Sequence, residues 1–442
     1  MLKKLIFILS IFPTFLMAQH TIKGTFSPAK DYPFAVLYKV TPKTTLYVAN
    51  TQIDEKGSFQ FDLDSTVNKG IYRLVYALPQ EEFNFDIIYN ANEDVSLTFN
   101  AETGVDFKSS VENTLMSSYT NSMSLISQSI GSFYNQQSQD SLALMTIFKT
   151  QKETQIEYEK AAENSIASNF IKANRPYIPE SYEDISTYID NLKKHFFNDV
   201  NFDNEVLQSS NFLIERVLNY VFGMASNKED EIDDYKRNID EVYEAMKGAK
   251  PEIKSTLLEI VWQQMVDTNF EEVANYVSDT YLIKLAESLN DTELVNGLKL
   301  FKSVSIGNKA PEFDVFVEEN GERTPISVYD LDVSEKYILV FWSSSCSHCL
   351  EEIPQLQAHL KSLDNSDYKV IAIGLEDDAY KWEKEITKYP EFMHVLGLGK
   401  WENKIGISYN VGATPTYFIL DSDKKILAKP YDIAALKEYL EN

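Results

Sequence analysis

From His20 to about Ala101 the chain alternates apolar and polar positions with a period of two, the pattern of strands buried on one face. Ile22, Gly24 and Phe26 alternate first, followed by the runs Phe34 to Tyr38 and Thr45 to Ile53. A turn at Asp54-Glu55-Lys56-Gly57 leads to Phe59-Gln60-Phe61, and Ile71 to Tyr76 and Phe85 to Phe99 complete about seven short strands. Strands this short, separated by turn residues, predict a β-sandwich over residues 19–103. From Gly104 to about Val304 the texture changes. Between Gly131 and Gly297 only Gly223 and Gly248 occur, and prolines are confined to Pro176, Pro179 and Pro251. Helical spacing appears in Leu142 to Ser168, Ile185 to Phe197, Val206 to Met224, Asp230 to Met246, Ile253 to Val266 and Phe270 to Leu289. The expectation for 104–304 is a bundle of about five to seven helices, broken near Pro176 to Pro179 and Gly248 to Pro251.

After a linker at Ser303 to Pro311, residues 305–442 mix the two periods. Tyr337 to Trp342 is an apolar run of strand length, whereas Leu350, Ile353, Leu356 and Leu360 recur at helical spacing. Further strands follow at Tyr368 to Leu375, Tyr417 to Leu420 and, after the turn Asp421 to Lys424, Lys425 to Ala428. Asp432 to Leu440 closes the chain as a helix. The whole is a multi-domain α+β chain: β-sandwich, helical region, then an α/β module.

Composition narrows the function. At 442 residues there is room for two or three domains, and 44% hydrophobic residues suffice to build their cores. A net charge of −26 argues against nucleic acid and anionic membrane surfaces as partners. Met1 to Ala18 carries Lys3 and Lys4, an apolar stretch from Leu5 to Phe15, and Leu16-Met17-Ala18 before Gln19. This is the pattern of a secretory signal peptide (residues 1–18) cleaved after Ala18. Its apolar run is short for a membrane span, and no cysteine stands near the cleavage point to take a lipid. The expectation is export without a stable membrane anchor.

The chain has two cysteines, Cys346 and Cys349, in the stretch Ser343-Ser344-Ser345-Cys346-Ser347-His348-Cys349. An exported protein stapled by disulfides would carry more, so a single close pair points to a catalytic disulfide. The pair falls where a strand gives way to the first turn of a helix. Free backbone N–H groups and the helix dipole there favour a thiolate. Cys346 is then the attacking sulfur and Cys349, one turn deeper, the resolving one. Zinc would need about four ligands, and the spacing of His348, His359 and His394 does not complete a set with the cysteines, so neither metal nor cofactor is expected. As a cation, His348 would stabilise the Cys346 thiolate and make the disulfide more oxidising. Glu352, three residues after Cys349, falls on the same helix face as the thiols.

Residues from about Ile306 to Asn442 resemble the TlpA/ResA branch of thioredoxin-like oxidoreductases of the bacterial envelope. The resemblance is carried by Gly307-x-x-Ala310-Pro311-x-Phe313, Phe341-Trp342, the C-x-x-C, Glu352, Pro354 and Thr414-Pro415-Thr416. The preceding parts resemble, more weakly, the amino-terminal β domain and helical spacer of Bacteroidetes-type envelope proteins. The resemblance implies a thioredoxin fold and a role for Glu352 in proton transfer at the deeper thiol. It also implies a cis bond between Thr414 and Pro415, whose backbone edge would pair with substrate, and a place for Trp342 beside them that shapes the site. The implied activity is reduction of envelope-protein disulfides, with electrons from a membrane thiol donor; protein thiols and disulfides are the substrates. Amino-terminal extensions of this kind also leave a homodimer open. Two alternatives stand: an oxidase or isomerase, favoured by His348, and a non-catalytic binding protein using the module as scaffold. A peroxidatic frame is absent, since Leu339 stands where its proline would be and Arg323 is the module's one arginine.

Overall fold

The computed structural model describes residues 20–80, 82–225, 230–319, 322–363 and 367–441. The signal-peptide reading of Met1 to Ala18 lies outside the described residues. The chain divides into two compact units, Met1–Val261 and Trp262–Asn442.

The first unit opens with β1 (His20–Ser27), β2 (Phe34–Val40), β3 (Thr45–Gln52), β4 (Ser58–Leu63), β5 (Gly70–Val75), β6 (Asn84–Tyr89), β7 (Val95–Asn100) and β8 (Gly104–Ser109). They form two four-stranded sheets, ordered β4-β1-β7-β8 and β3-β2-β5-β6. The inward positions of both sheets meet in one core that includes Ile22, Leu37, Phe61, Leu74, Ile87 and Leu97. The alternation that predicted a sandwich is thus a record of which residues face that core. The sandwich does not stop at residue 103: β8 pairs antiparallel with β7 beyond it. Its sequence, Gly-Val-Asp-Phe-Lys-Ser, offers only two apolar residues, too few to stand out as a strand.

The helices of this unit are α1 (Val111–Asn135), α2 (Ser141–Ala161), α3 (Ala167–Ala173), α4 (Ile185–Lys194), α5 (Glu205–Gln208), α6 (Phe212–Gly223), α7 (Glu231–Ala245) and most of α8 (Pro251–Asp267). The 25-residue α1 escaped the periodicity because its exposed face is a run of Ser, Thr and Asn. Ser110 caps its start through its side chain. Asn113, one turn in, lies against the open edge of β6: its amide accepts from Ile88 N–H at 2.9 Å and donates to Ile88 C=O at 2.7 Å. A sheet edge buried without such partners would be costly, and here the helix supplies them. The expected helix from Leu142 to Ser168 is two, because the chain turns at Ala162 to Ile166 between α2 and α3.

The second unit begins with α9 (Glu271–Val277) and α10 (Ile283–Leu289), joined by a π-helical turn at Ser278–Leu282, and α11 (Thr292–Ser303). The last of these was not anticipated. There follow a hairpin of β9 (Asp314–Glu319) and β10 (Glu322–Ser327), then β11 (Lys336–Trp342), α12 (Ser347–Ser362), β12 (Tyr368–Glu376), α13 (Tyr380–Ile386), β13 (Met393–Leu398), α14 (Lys404–Ser408), β14 (Thr416–Leu420), β15 (Ile426–Ala428) and α15 (Ile433–Glu441). The hairpin, α13, β13 and α14 add to the elements read from the sequence. Glu271 ties α9 to the module: it accepts from Ile306 N–H at 2.6 Å and pairs with Lys429.

Five strands form one sheet in the order β13-β12-β11-β14-β15. The first three run parallel, and β14 and β15 are antiparallel to their neighbours. Central β11 is buried on both faces. Tyr337, Leu339 and Phe341 point into one core, and Ile338, Val340 and Trp342 into the other, against Cys349, Ile353 and Leu356 of α12. Gly374, opposite Trp342 in the β11–β12 register, is where the sheet admits the Trp382 indole; a Cβ would lie 2.2 Å from its nitrogen. Among the described residues no helix is long and apolar enough to cross a membrane.

Candidate active site

β11 ends at Trp342, and Ser343 to Ser345 carry the chain from the sheet to α12. Cys346 is the N-cap of that helix, with extended backbone angles (φ −89°, ψ 120°) and its sulfur accepting from Cys349 N–H at 3.3 Å. A thiol thus stands where Ser, Asp or Asn usually caps, and each N–H it faces favours its ionised form. On the other side Cys346 Sγ lies 3.3 Å from Thr414 C=O, to which its thiol donates. The Thr414–Pro415 peptide is cis, and both residues, with Thr416, are partly exposed beside the sulfur.

Both cysteines are free thiols, Cys346 partly exposed and Cys349 buried. Their acidities diverge. Burial opposes ionisation of Cys346, but hydrogen bonds from the Cys349 thiol and N–H, from the Thr414 side chain and from the His348 backbone outweigh it and bring the thiol below its ordinary value. Burial pushes the Cys349 thiol up to about 12, and its bond to the Cys346 sulfur adds to the rise. One sulfur is poised to attack while the other holds its proton.

His348 acts on Cys346 through its backbone; its side chain is exposed and makes no hydrogen bond or ion pair among the described residues. Glu352 is turned inward instead. Its Oε2 accepts from Tyr417 O–H at 2.9 Å and from Ile433 N–H at 3.1 Å, at the start of α15. Trp342 is fully buried, in the core that holds Cys349, so it offers no surface to a substrate. Its expected place on the substrate-binding side is corrected to that of a floor beneath the thiols. Pro354 sits within α12 without ending it. His394 bonds to Tyr389 C=O and His359 approaches Glu441, and among the described residues no group of three or more His, Cys, Asp or Glu side chains is placed to hold a metal ion.

Two residues of the site were not read from the sequence. Glu376, at the end of β12, is buried and receives Ser344 N–H, Ser344 O–H at 3.0 Å and Ser343 O–H at 3.3 Å. It therefore fixes the serine loop that delivers Cys346. In sequence it is an acid closing an apolar run, indistinguishable from a strand's exposed end. Tyr417 is the other, a buried residue of β14 that looks like ordinary strand core.

A five-stranded sheet of this order, with a C-x-x-C pair capping the helix after its central strand and a cis-proline loop against the first sulfur, is a thioredoxin-like domain. Residues 306–429 match the AhpC/TSA family, and this part of the chain is similar to ResA-type thiol-disulfide oxidoreductases. It is similar to the thiol-disulfide oxidoreductase ResA of Bacillus cereus, 26% identical over 128 residues that make up 29% of this chain and 70% of that protein. Among solved structures, a thioredoxin-like protein from Bacteroides caccae is 19% identical with a TM-score of 0.43, covering 60% of this chain and 96% of the other. The thioredoxin domain of a thiol-disulfide oxidoreductase from Bacteroides vulgatus is 23% identical with a TM-score of 0.27, covering 31% and 97%.

Proposed function

We propose that this oxidoreductase is exported, works in the periplasm, and reduces disulfides of envelope proteins through Cys346 and Cys349. The observation that carries the reading is the opposite displacement of the two thiols: an accessible thiol with a lowered pKa beside a buried one pushed up to about 12. The Cys346 thiolate attacks a substrate disulfide, a mixed disulfide forms, and Cys349 displaces the substrate. The reductive direction is supported by the exposure of His348 and by its acting on Cys346 through its backbone N–H. The Cys346 thiolate is then held by neutral hydrogen-bond donors rather than by a fixed cation, which favours a less oxidising couple. A polypeptide substrate suits the backbone edge at Thr414 to Thr416. It also suits the large exposed side chains Tyr380, Leu398 and Trp401, which lie on or beyond the C-terminal ends of parallel β12 and β13. Export is read from residues 1–18, and a membrane thiol carrier is the proposed electron donor.

The test is trapping. With Cys349→Ser, the Cys346 mixed disulfide has no resolving partner and accumulates on envelope proteins, visible as adducts that collapse on reduction. Adducts that form equally well with Cys346→Ser, or none at all, would contradict the scheme.

A further inference from the structure

The resolving thiol poses a problem that the C-x-x-C alone does not solve. Cys349 lies buried in the core and burial holds its proton well above neutral pH, so its attack needs a base. Glu352 lies one helical turn further on, but the carboxylate oxygen that points inward is occupied by the Tyr417 hydroxyl. Tyr417 itself is buried in the core that contains Cys349, on the strand beside Val340. Burial raises its pKa far above the ordinary phenol value, and the charges of Glu352 and Cys349 raise it further. A phenolate does not accumulate there. The hydroxyl can take up one proton only as it gives up another.

We infer that the Tyr417 hydroxyl is the proton relay between Cys349 and Glu352, a role that rests on the redox reading of the two cysteines. In the resolving step the Cys349 sulfur attacks the Cys346 sulfur of the mixed disulfide. The Cys349 proton passes to the Tyr417 oxygen while the Tyr417 hydroxyl proton passes to Glu352 Oε2. The Cys346–Cys349 bond forms, and the bond from Cys346 to the substrate sulfur breaks. The substrate sulfur leaves as a thiolate with the electron pair. The protein dithiol is oxidised by two electrons, the substrate disulfide is reduced by two, and Glu352 releases its proton to solvent. Glu352 is on this account a positioning and storage group that reaches the thiol only through Tyr417. Asp432, just before α15, also acts on the Tyr417 hydroxyl, and Cys346, Thr414 and Ser343 face the Cys349 thiol.

The experiment uses the reduced full chain and the aromatic disulfide dithiobis(nitrobenzoate), whose thiolate is coloured. Attack by Cys346 releases one coloured thiolate, and attack by Cys349 on the resulting mixed disulfide releases a second, so the two steps appear as separate phases. Tyr417→Phe keeps the ring and its packing; it is expected to slow the second phase by about 10²-fold and to make that phase climb more steeply with pH, leaving the first phase unchanged. Glu352→Gln is expected to slow the second phase similarly, and the double variant to be no slower than either alone. A Tyr417→Phe protein whose second phase matches wild type while Glu352→Gln is slow would overturn the relay, as would additive losses. Loss of both phases in Tyr417→Phe would mark a damaged fold; the relay then stands or falls on Glu352→Gln, which must slow the second phase alone. A wild-type protein with no second phase would instead contradict the redox reading itself.

Discussion

Cys346 and Cys349 differ less in chemistry than in what surrounds each sulfur. Cys346 caps a helix and takes hydrogen bonds at the edge of solvent, while Cys349 points into a core with Trp342, Ile353 and Tyr417. Reduced protein should therefore lose Cys346 to iodoacetamide at pH values where an ordinary thiol barely reacts, with Cys349 untouched until the fold is opened, as peptide mass mapping would show. Stability follows with a defined sign. The lowered Cys346 pKa stabilises the dithiol fold fully above an unfolded thiol value of 9.0, and that contribution is lost as pH falls through the folded value. The raised Cys349 pKa works the other way: its contribution is present below 9.0 and is lost as pH rises towards about 12. The stability of reduced relative to oxidised protein should therefore peak near pH 9 in paired urea titrations. A difference that keeps growing above that pH would contradict the burial of Cys349. These two residues were legible because their chemistry is local, a cysteine pair at a strand-to-helix junction. Glu376 and Tyr417 were not, because each gains its role only from the strand it faces across the sheet.

Elements, more than single residues, decide what reaches the thiols. The loop Ser343 to Ser345 has only a few hydrogen bonds of its own, and it is further held because β11 and β12 run in parallel register, which brings Glu376 opposite Ser344. Glu376→Leu would strip the acceptor from one buried N–H and two hydroxyls, costing about 1–3 kcal/mol of stability and slowing alkylation of Cys346. Glu376→Gln, which still accepts from Ser344 N–H, should recover most of both in thermal unfolding and alkylation assays. Equal behaviour of Leu and Gln would mean that the loop does not depend on this acceptor. The elements missed from the sequence share a cause. α1 hides its helical period behind Ser, Thr and Asn, and β8 has too few apolar residues to show a period at all. β13 is half-buried at the edge of its sheet, and its Met-His-Val-Leu-Gly-Leu run is as short as a loop. Strands buried on both faces, such as β11, announced themselves as continuous apolar runs.

At the scale of the chain, contacts divide at Val261/Trp262, within α8, rather than at the linker before the thioredoxin-like domain. Helices α9 to α11 therefore go with the redox module, and Glu271 explains how: one carboxylate binds both the incoming backbone at Ile306 and Lys429 after β15. Period and composition announced a change of texture but not this anchor, since an acid on a helix gives no sign of the partner it will meet. Work on the redox chemistry is accordingly best done on the full chain. The central claim is that Cys346 and Cys349 form a reducing couple, and the most direct measurement is its equilibrium potential against graded dithiothreitol or glutathione buffers, read by mass after thiol trapping. A single two-electron transition near the thioredoxin value of about −270 mV is the predicted result. A potential at about −120 to −180 mV would contradict the reductive direction, and two thiols that never pair in any buffer would contradict the account as a whole.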